Sequence, residues 1–142
     1  MIEIKNRSDK VKEVLKGDKN FEQILKRVVQ CDYKFRECGD ISKQCVNRKT
    51  GVLSISKEYV VRHMLKRTTV VLYTSGTAEV KTRRGTIEET VFTGFLLGHV
   101  KTINKKKVFY IDLVCSAHRQ GRNIMMHAEK VARRMKCETI AL

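Results

Sequence analysis

The chain has 142 residues, the size of one ordinary domain, and its 42% hydrophobic and 6% aromatic content argues against global disorder. Lys and Arg number 30 against 15 Asp and Glu, and the resulting charge of +15 favours nucleic acid, phosphorylated cofactors or acidic surfaces and disfavours cationic partners. The N-terminus lacks a signal-peptide core and no apolar run reaches the about 18 residues that span a bilayer, so we expect a single cytoplasmic domain over residues 1–142 with no membrane partner.

The first half of the chain predicts two helices. Asn20 with Gln23 forms a capping box, and apolar residues follow it at helical spacing. Gly39, Asn47 and Gly51 mark a polar connection after this helix. In chain order, the predicted elements are a helix over 20–36, a loop over 37–50, a short strand over 52–55, and a helix from Ser56 to about Arg67.

The second half predicts a meandering antiparallel sheet that ends in a βαβ unit. Its β-rich runs are residues 70–73, 91–100 and 108–114, separated by glycine-, asparagine- and charge-rich turns. A last helix over about 122–136 buries one apolar stripe, and residues 138–142 form a final strand. Because βαβ crossovers are right-handed, the final strand should lie parallel to 108–114 and beside it.

The loop between the run 108–114 and the last helix has the features of an anion-binding turn. The first turn of a helix has N–H groups without intrahelical acceptors and the positive end of the helix dipole. Arg119 and Arg122 add full positive charges, and Gly121 permits a close backbone approach. The alternative is an ordinary strand-to-helix turn that binds nothing.

Asp112 interrupts an otherwise apolar strand, and burial of an unpaired carboxylate is costly. Two interpretations follow, a general base in a cleft or an ion pair with one of the many basic residues. His99 and Glu89, near the same strands, are further candidates. No metal site is expected, because Cys31, Cys38 and Cys45 lack the close pairing of zinc ligands, and the five cysteines are interpreted as reduced thiols.

Lysines cluster in the turn before residue 108, namely Lys101, Lys105, Lys106 and Lys107. Such a turn either contacts phosphates or is only solvated. The sequence has no Trp and few aromatic residues to form a stacking platform for bases. Contact with nucleic acid therefore stays open beside the solvated alternative.

The C-terminal half resembles the GCN5-related N-acetyltransferases. The segment His118-Arg-Gln-Gly121-Arg-Asn123 stands where that family has Gln/Arg-x-x-Gly-x-Gly/Ala, with His118 and Asn123 as departures. Upstream, Gly94-Phe-Leu-Leu-Gly98 and residues 109–115 look like its third and fourth strands; downstream, residues 127–142 look like its third helix and fifth strand. The resemblance covers roughly residues 68–142. Family members usually continue into another helix and strands, where a Tyr often serves as the general acid. This sequence ends at Leu142.

The resemblance implies an α/β fold of the acyl-CoA N-acyltransferase type, with a mixed, mainly antiparallel sheet flanked by helices. It implies an enzyme that moves an acetyl group from acetyl-CoA, its co-substrate, to an amine by direct attack on the thioester. The acceptor amine could belong to a small molecule or a protein. In this scheme Asp112 is the base, and Tyr110, Cys115 or solvent supplies the acid.

By the same resemblance, the cofactor lies against the end of the fourth strand and the loop after it: Leu113, Val114, Cys115, His118, Arg119, Gln120, Gly121, Arg122, Asn123 and Ile124. The alternative function is a basic binding module of the same fold with little or no catalysis, which contacts nucleic acid or another acidic partner. An unpaired last strand would also allow a homodimer.

Overall fold

The computed structural model describes residues 4–35, 57–116 and 120–141. The predictions for 37–55 and for the Ser56 cap lie outside these ranges. Within them the elements are β1 (Ile4–Arg7), β2 (Lys12–Leu15), α1 (Phe21–Phe35), α2 (Lys57–Leu65), β3 (Thr69–Thr82), β4 (Gly85–Ile103), β5 (Lys106–Ser116), α3 (Gly121–Arg134) and β6 (Thr139–Ala141). None of the helices in these ranges is both long and apolar enough to cross a membrane.

The strands form one sheet in the order β1-β3-β4-β5-β6, and β2 also pairs with β3. Every pair is antiparallel except β5 with β6, which are parallel. Val108, Phe109 and Tyr110 face Thr139, Ile140 and Ala141 in that parallel pair. The predicted fold class is therefore confirmed, including the final strand parallel to its predecessor.

The N-terminal strands are the main difference from the sequence prediction, which placed two helices ahead of the whole sheet. β1 and β2 precede α1 and are short and partly exposed, so neither carries a recognisable apolar alternation. Their pairing with β3 supplies the hydrogen bonds that define them. Strands β3 and β4 are also longer than predicted, because cross-strand pairing continues through the polar residues to the turn at Gly85.

Both faces of the sheet are covered by helices, and the core is divided between them. On one face, α1 and α2 pack against β3 and β4 through Leu25, Val28, Val61, Val71, Phe95 and Leu97. On the other face, α3 packs through Ile124, Ala128, Val131, Leu72, Leu96 and Phe109. Each large side chain that is fully buried contributes about 1.5–3 kcal/mol. Because β4 residues alternate between the two cores, His99 lies on the same face as Leu97, the one covered by α1 and α2.

Two glycines of β4 allow close packing on the α3 face. A Cβ on Gly94 would lie 2.6 Å from Ile124 Cδ1 and 3.2 Å from Gln120 Cβ. A Cβ on Gly98 would lie 2.5 Å from Cζ of the Phe109 ring. Gly94 thus lets the start of α3 approach the sheet, and Gly98 admits the Phe109 ring.

Candidate functional site

A β-bulge interrupts β5 at Asp112. Leu97 faces Leu113 across the ladder, but the next residue, Gly98, faces Ile111, so Asp112 is the extra residue on β5. The Asp112 side chain lies on the face covered by α1 and α2, and because of the bulge Leu113 packs on the same face. A carboxylate is accommodated in this apolar strand because its side chain meets the polar groups of His99 and Arg67 there.

Asp112, His99 and Arg67 form a hydrogen-bonded group, called here the Asp112 cluster. The Asp112 side chain is 9% exposed, and its Oδ2 lies 2.6 Å from His99 Nδ1. Arg67 Nη1 donates to Asp112 Oδ1 at 3.3 Å and lies 3.5 Å from His99 Nε2. A carboxylate only accepts, so His99 Nδ1 carries the hydrogen in this network and Nε2 is left as the acceptor.

Tyr110, the other predicted catalytic residue, lies beside this cluster. It pairs with His99 across β4 and β5, and the two ring centroids are 5.5 Å apart. Lys101 Nζ lies 5.2 Å from the centroid of the Tyr110 ring. The half-buried Tyr110 therefore borders the Asp112 cluster on the same face of the sheet.

The structure separates Glu89 from these residues. Glu89 is exposed in the β3–β4 hairpin, ten positions from His99 along β4, or about 33 Å at 3.3 Å per residue. Arg67 was missed as a site residue, because sequence analysis treated it only as the end of a helix. Its one signal is its position at the short connection between α2 and β3, which does not reveal its partner.

The start of α3 has the backbone geometry expected of an anion-binding turn. The N–H of Ile124 donates to the carbonyl of Gln120 at 3.1 Å, so the N–H groups of residues 121–123 precede the first intrahelical bond. Gln120 is the N-cap without a side-chain capping bond, and the first turn of α3 has no acidic residue. Arg122 is exposed there. Fewer N–H groups are therefore available to an anion than the five predicted from residues 120–124, because the Ile124 N–H is already bonded to the Gln120 carbonyl.

The Gln120 side chain holds this turn in place. It is 2% exposed, donates from Nε2 to Asp9 Oδ1 at 2.7 Å, and accepts from Asn123 Nδ2 at 3.2 Å. The Asn123 amide is therefore directed back at Gln120. Together, Gln120 and Gly121–Asn123 are called the α3 turn. His118 and Arg119, predicted beside it, lie outside the described residues.

The end of β5 connects the two parts of the site. Pairing with β6 ends at Tyr110, two residues before the bulge at Asp112. From Asp112 the strand continues to Ser116, about 13 Å at 3.3 Å per residue. Leu113 and Cys115 pack toward the α1 and α2 core, and Val114 packs toward α3. The Asp112 cluster and the α3 turn thus lie at opposite ends of this segment.

The thiols described in the structure lie in packed surroundings. Cys115 and Cys137 are half-buried and are not in disulfides, and burial raises the pKa of the Cys137 thiol, an effect partly offset by Lys107. Among the residues described, no three His, Cys, Asp or Glu side chains come together in a group that could hold a metal. Cys38, Cys45 and the Cys31 side chain lie outside the described part.

Several solved structures similar to this chain are acetyltransferases. One, a probable acetyltransferase, is 13% identical, with 93% of this chain and 76% of that chain covered and a TM-score of 0.53. Another, an aminoglycoside acetyltransferase from an uncultured soil metagenomic sample in complex with sisomicin, is 12% identical, with 94% and 76% covered and a TM-score of 0.53. No family model and no curated protein matches the sequence. At identities this low the similarity shows the fold alone, which is acetyltransferase-like, as the resemblance implied.

Proposed function

We propose that this chain, which has an acetyltransferase-like fold, transfers an acetyl group from acetyl-CoA to an amine. One observation carries the proposal. An uncapped helix N-terminus and a buried His99–Asp112 pair lie at the two ends of one β5 segment, whose pairing with β6 has already ended. An anion at the first end would bring a thioester at the other end of an extended arm next to groups able to move a proton.

The chemical groups of this site are of the kinds that can bind acetyl-CoA. The N–H groups of residues 121–123 and the Arg122 guanidinium are donors for a pyrophosphate, with His118 and Arg119 predicted to add to them. The edge of Leu113–Cys115 is proposed to pair with the pantetheine arm as a short pseudo-strand. Bound acetyl-CoA would supply an acyl group activated as a thioester.

We assign the proton-accepting role to His99 and a positioning role to Asp112. Both oxygens of Asp112 already contact His99 and Arg67, whereas His99 Nε2 is left as an acceptor. His99 would take a proton from the acceptor amine, directly or through water, once Arg67 moves aside; Asp112 would hold the ring and stabilise the imidazolium. Tyr110, at the edge of the cluster, is proposed to protonate the departing thiolate. The acceptor is an amine of a small molecule or a protein.

Isothermal calorimetry with acetyl-CoA at two salt concentrations, with ATP as a control anion, tests the cofactor site. Micromolar binding that persists at the higher salt and exceeds that of ATP is expected. Gly121→Trp should abolish it by blocking the α3 turn, while Glu129→Trp, on the exposed face of the same helix, should not. Equal, salt-sensitive binding of both ligands would contradict the proposal. Binding without turnover over an amine panel would favour the non-catalytic alternative.

A further inference from the structure

We infer that one end of the sheet is a binding surface for the backbone of a nucleic-acid duplex. This end, where β3, β5 and β6 begin and β4 finishes, is called the basic end. It carries eight exposed cations: Lys16, Lys66, Lys101, Lys105, Lys106, Lys107, Arg133 and Lys136. The inference concerns a surface separate from the proposed acetyl-CoA turn.

Backbone contacts show that residues distant in sequence share this end. Lys16 N–H donates to the Thr69 carbonyl at 3.3 Å, which places the residue after β2 beside the start of β3. Glu138 N–H donates to the Lys107 carbonyl at 2.8 Å, which joins the connection after α3 to the start of β5. From β2 to β6 there are four strand spacings, or about 19 Å at 4.8 Å each. The cations thus cover a surface comparable in width to a duplex rather than a single point.

Little negative charge opposes these cations. Glu13 accepts from Arg134 at 3.1 Å and is engaged with His127, while Asp112 is buried in its own cluster. Asp18 accepts from the Leu15 N–H at 2.7 Å. Among the residues described at this end, the exposed carboxylates are therefore Asp18 and Glu138. The surface is therefore strongly positive and attracts polyanions at long range.

The make-up of the basic end favours a phosphate backbone over an acidic protein or a single strand. Centres of protein interfaces are depleted in Lys and built on aromatic and apolar residues, whereas the exposed large apolar residue here is Ile103, at 38%. Single strands are held by stacking on exposed aromatic rings. Phe109 is buried and Tyr110 is half-buried near Lys101, so no described ring at this end is fully exposed. Point charges without rings suit a duplex backbone.

The opposite hairpin provides an internal control. The β3–β4 hairpin, residues 79–89, has three cations at or near its tip, but the same segment also carries Glu79, Glu88 and Glu89. Removing these three cations changes the net charge of the protein as much as removing three from the basic end. Because the charges of the hairpin balance, the two changes differ only in the local electric field that they affect.

The test measures binding of a short duplex DNA by fluorescence anisotropy across a salt series, with a duplex RNA in parallel. The test variant removes three cations of the basic end: Lys105→Gln, Lys106→Gln and Lys107→Gln. The matched control removes three from the other hairpin: Lys81→Gln, Arg83→Gln and Arg84→Gln. We expect the test variant to lose more than about tenfold in affinity and its log–log salt slope to fall by about 2–3, with the control within about twofold.

Competing partners are read out in the same assay with a single-stranded DNA of the same sequence and with polyglutamate. The duplex, DNA or RNA, should bind more tightly than either. Equal losses in the two variants, polyglutamate binding as tight as duplex binding, or no duplex binding by the parent protein would each overturn the inference. Acetyl-CoA titration and thermal unfolding of both variants should match the parent, which separates this surface from the proposed acetyl-CoA turn and excludes misfolding as the cause.

Discussion

The Asp112 cluster and the α3 turn are built from different parts of the polypeptide. The Asp112 cluster consists of side chains, Arg67, His99 and Asp112, whose donors and acceptors satisfy one another in a nearly buried site. The α3 turn offers backbone N–H groups, and its buried Gln120 side chain only braces them. The first should therefore be sensitive to side-chain chemistry, and the second to shape.

The largest contrast is expected in turnover. His99→Gln removes the proposed proton acceptor and should lower kcat by about 10²–10⁴-fold with little change in acetyl-CoA affinity. Steady-state kinetics and calorimetry on the same preparations would measure both. Arg122→Gln, at the other end of the β5 segment, is the matched variant and should weaken cofactor binding instead. Wild-type turnover in His99→Gln would remove His99 from the mechanism.

Removal of the carboxylate should produce the largest effect on stability. Asp112→Ala leaves His99 and the partly exposed Arg67 without their acceptor and should lower the free energy of unfolding by about 3 kcal/mol. Asp112→Asn keeps the shape and should cost less, but should change the pH profile of kcat by loosening the His99 ring. Urea unfolding of both variants gives the comparison. Asp112→Ala as stable as the parent would mean that the cluster contributes little to the fold.

The two glycines of β4 test the effect of added side-chain volume at two places, one beside the start of α3 and one beside Phe109. Gly94→Ala and Gly98→Ala introduce methyl groups at 2.6 Å from Ile124 and 2.5 Å from Phe109, and each should destabilise by about 1–3 kcal/mol. Only Gly94→Ala should also weaken acetyl-CoA binding, because it displaces the start of α3. Thermal unfolding and calorimetry would separate these effects. Equal cofactor affinity in both variants would show that the turn tolerates displacement.

Charge at the α3 turn should have a smaller effect. Arg122→Gln removes one proposed charge-assisted contact with the pyrophosphate and should lower acetyl-CoA affinity about tenfold without a change in unfolding temperature. Arg133→Gln, near the C-terminal end of the same helix, is the control, because its charge lies far from the proposed pyrophosphate. The control should alter duplex binding rather than acetyl-CoA binding. Equal losses of acetyl-CoA affinity would indicate that only the general field matters.

The smallest effect concerns Glu13, which ties β2 to α3 away from both ends of the site. Its hydrogen bond with Arg134 lowers its pKa below the usual 4.5; burial opposes this and the His127 bond adds to it. The stabilisation is full above pH 4.5 and is lost as the pH falls through the lowered folded-state pKa. Glu13→Gln should cost about 1 kcal/mol at neutral pH, measured by urea unfolding. The difference from wild type should shrink in acid; a constant difference would point to packing.

Local patterns were enough to predict α3 and the strand β6 parallel to β5. An apolar stripe and a glycine act over a few residues, so their consequences can be read from sequence. The strands β1 and β2 could not be predicted in this way, since their hydrogen-bond partners lie on β3. The same holds for the hairpin over residues 79–90, whose polar residues become strand only because they face one another.

Local periodicity in the sequence was enough to predict the fold class, and Asp112 could be singled out as one polar residue in an apolar strand. The anion-binding role of the α3 turn stays a prediction. The partners of Asp112, in contrast, depend on tertiary contacts. Its partner Arg67 lies 45 positions away and His99 lies 13 positions away. They meet because the pairing of β4 with β5 and the end of α2 bring the three side chains to one face of the sheet. Register and packing over such separations leave no periodic signal in a single sequence.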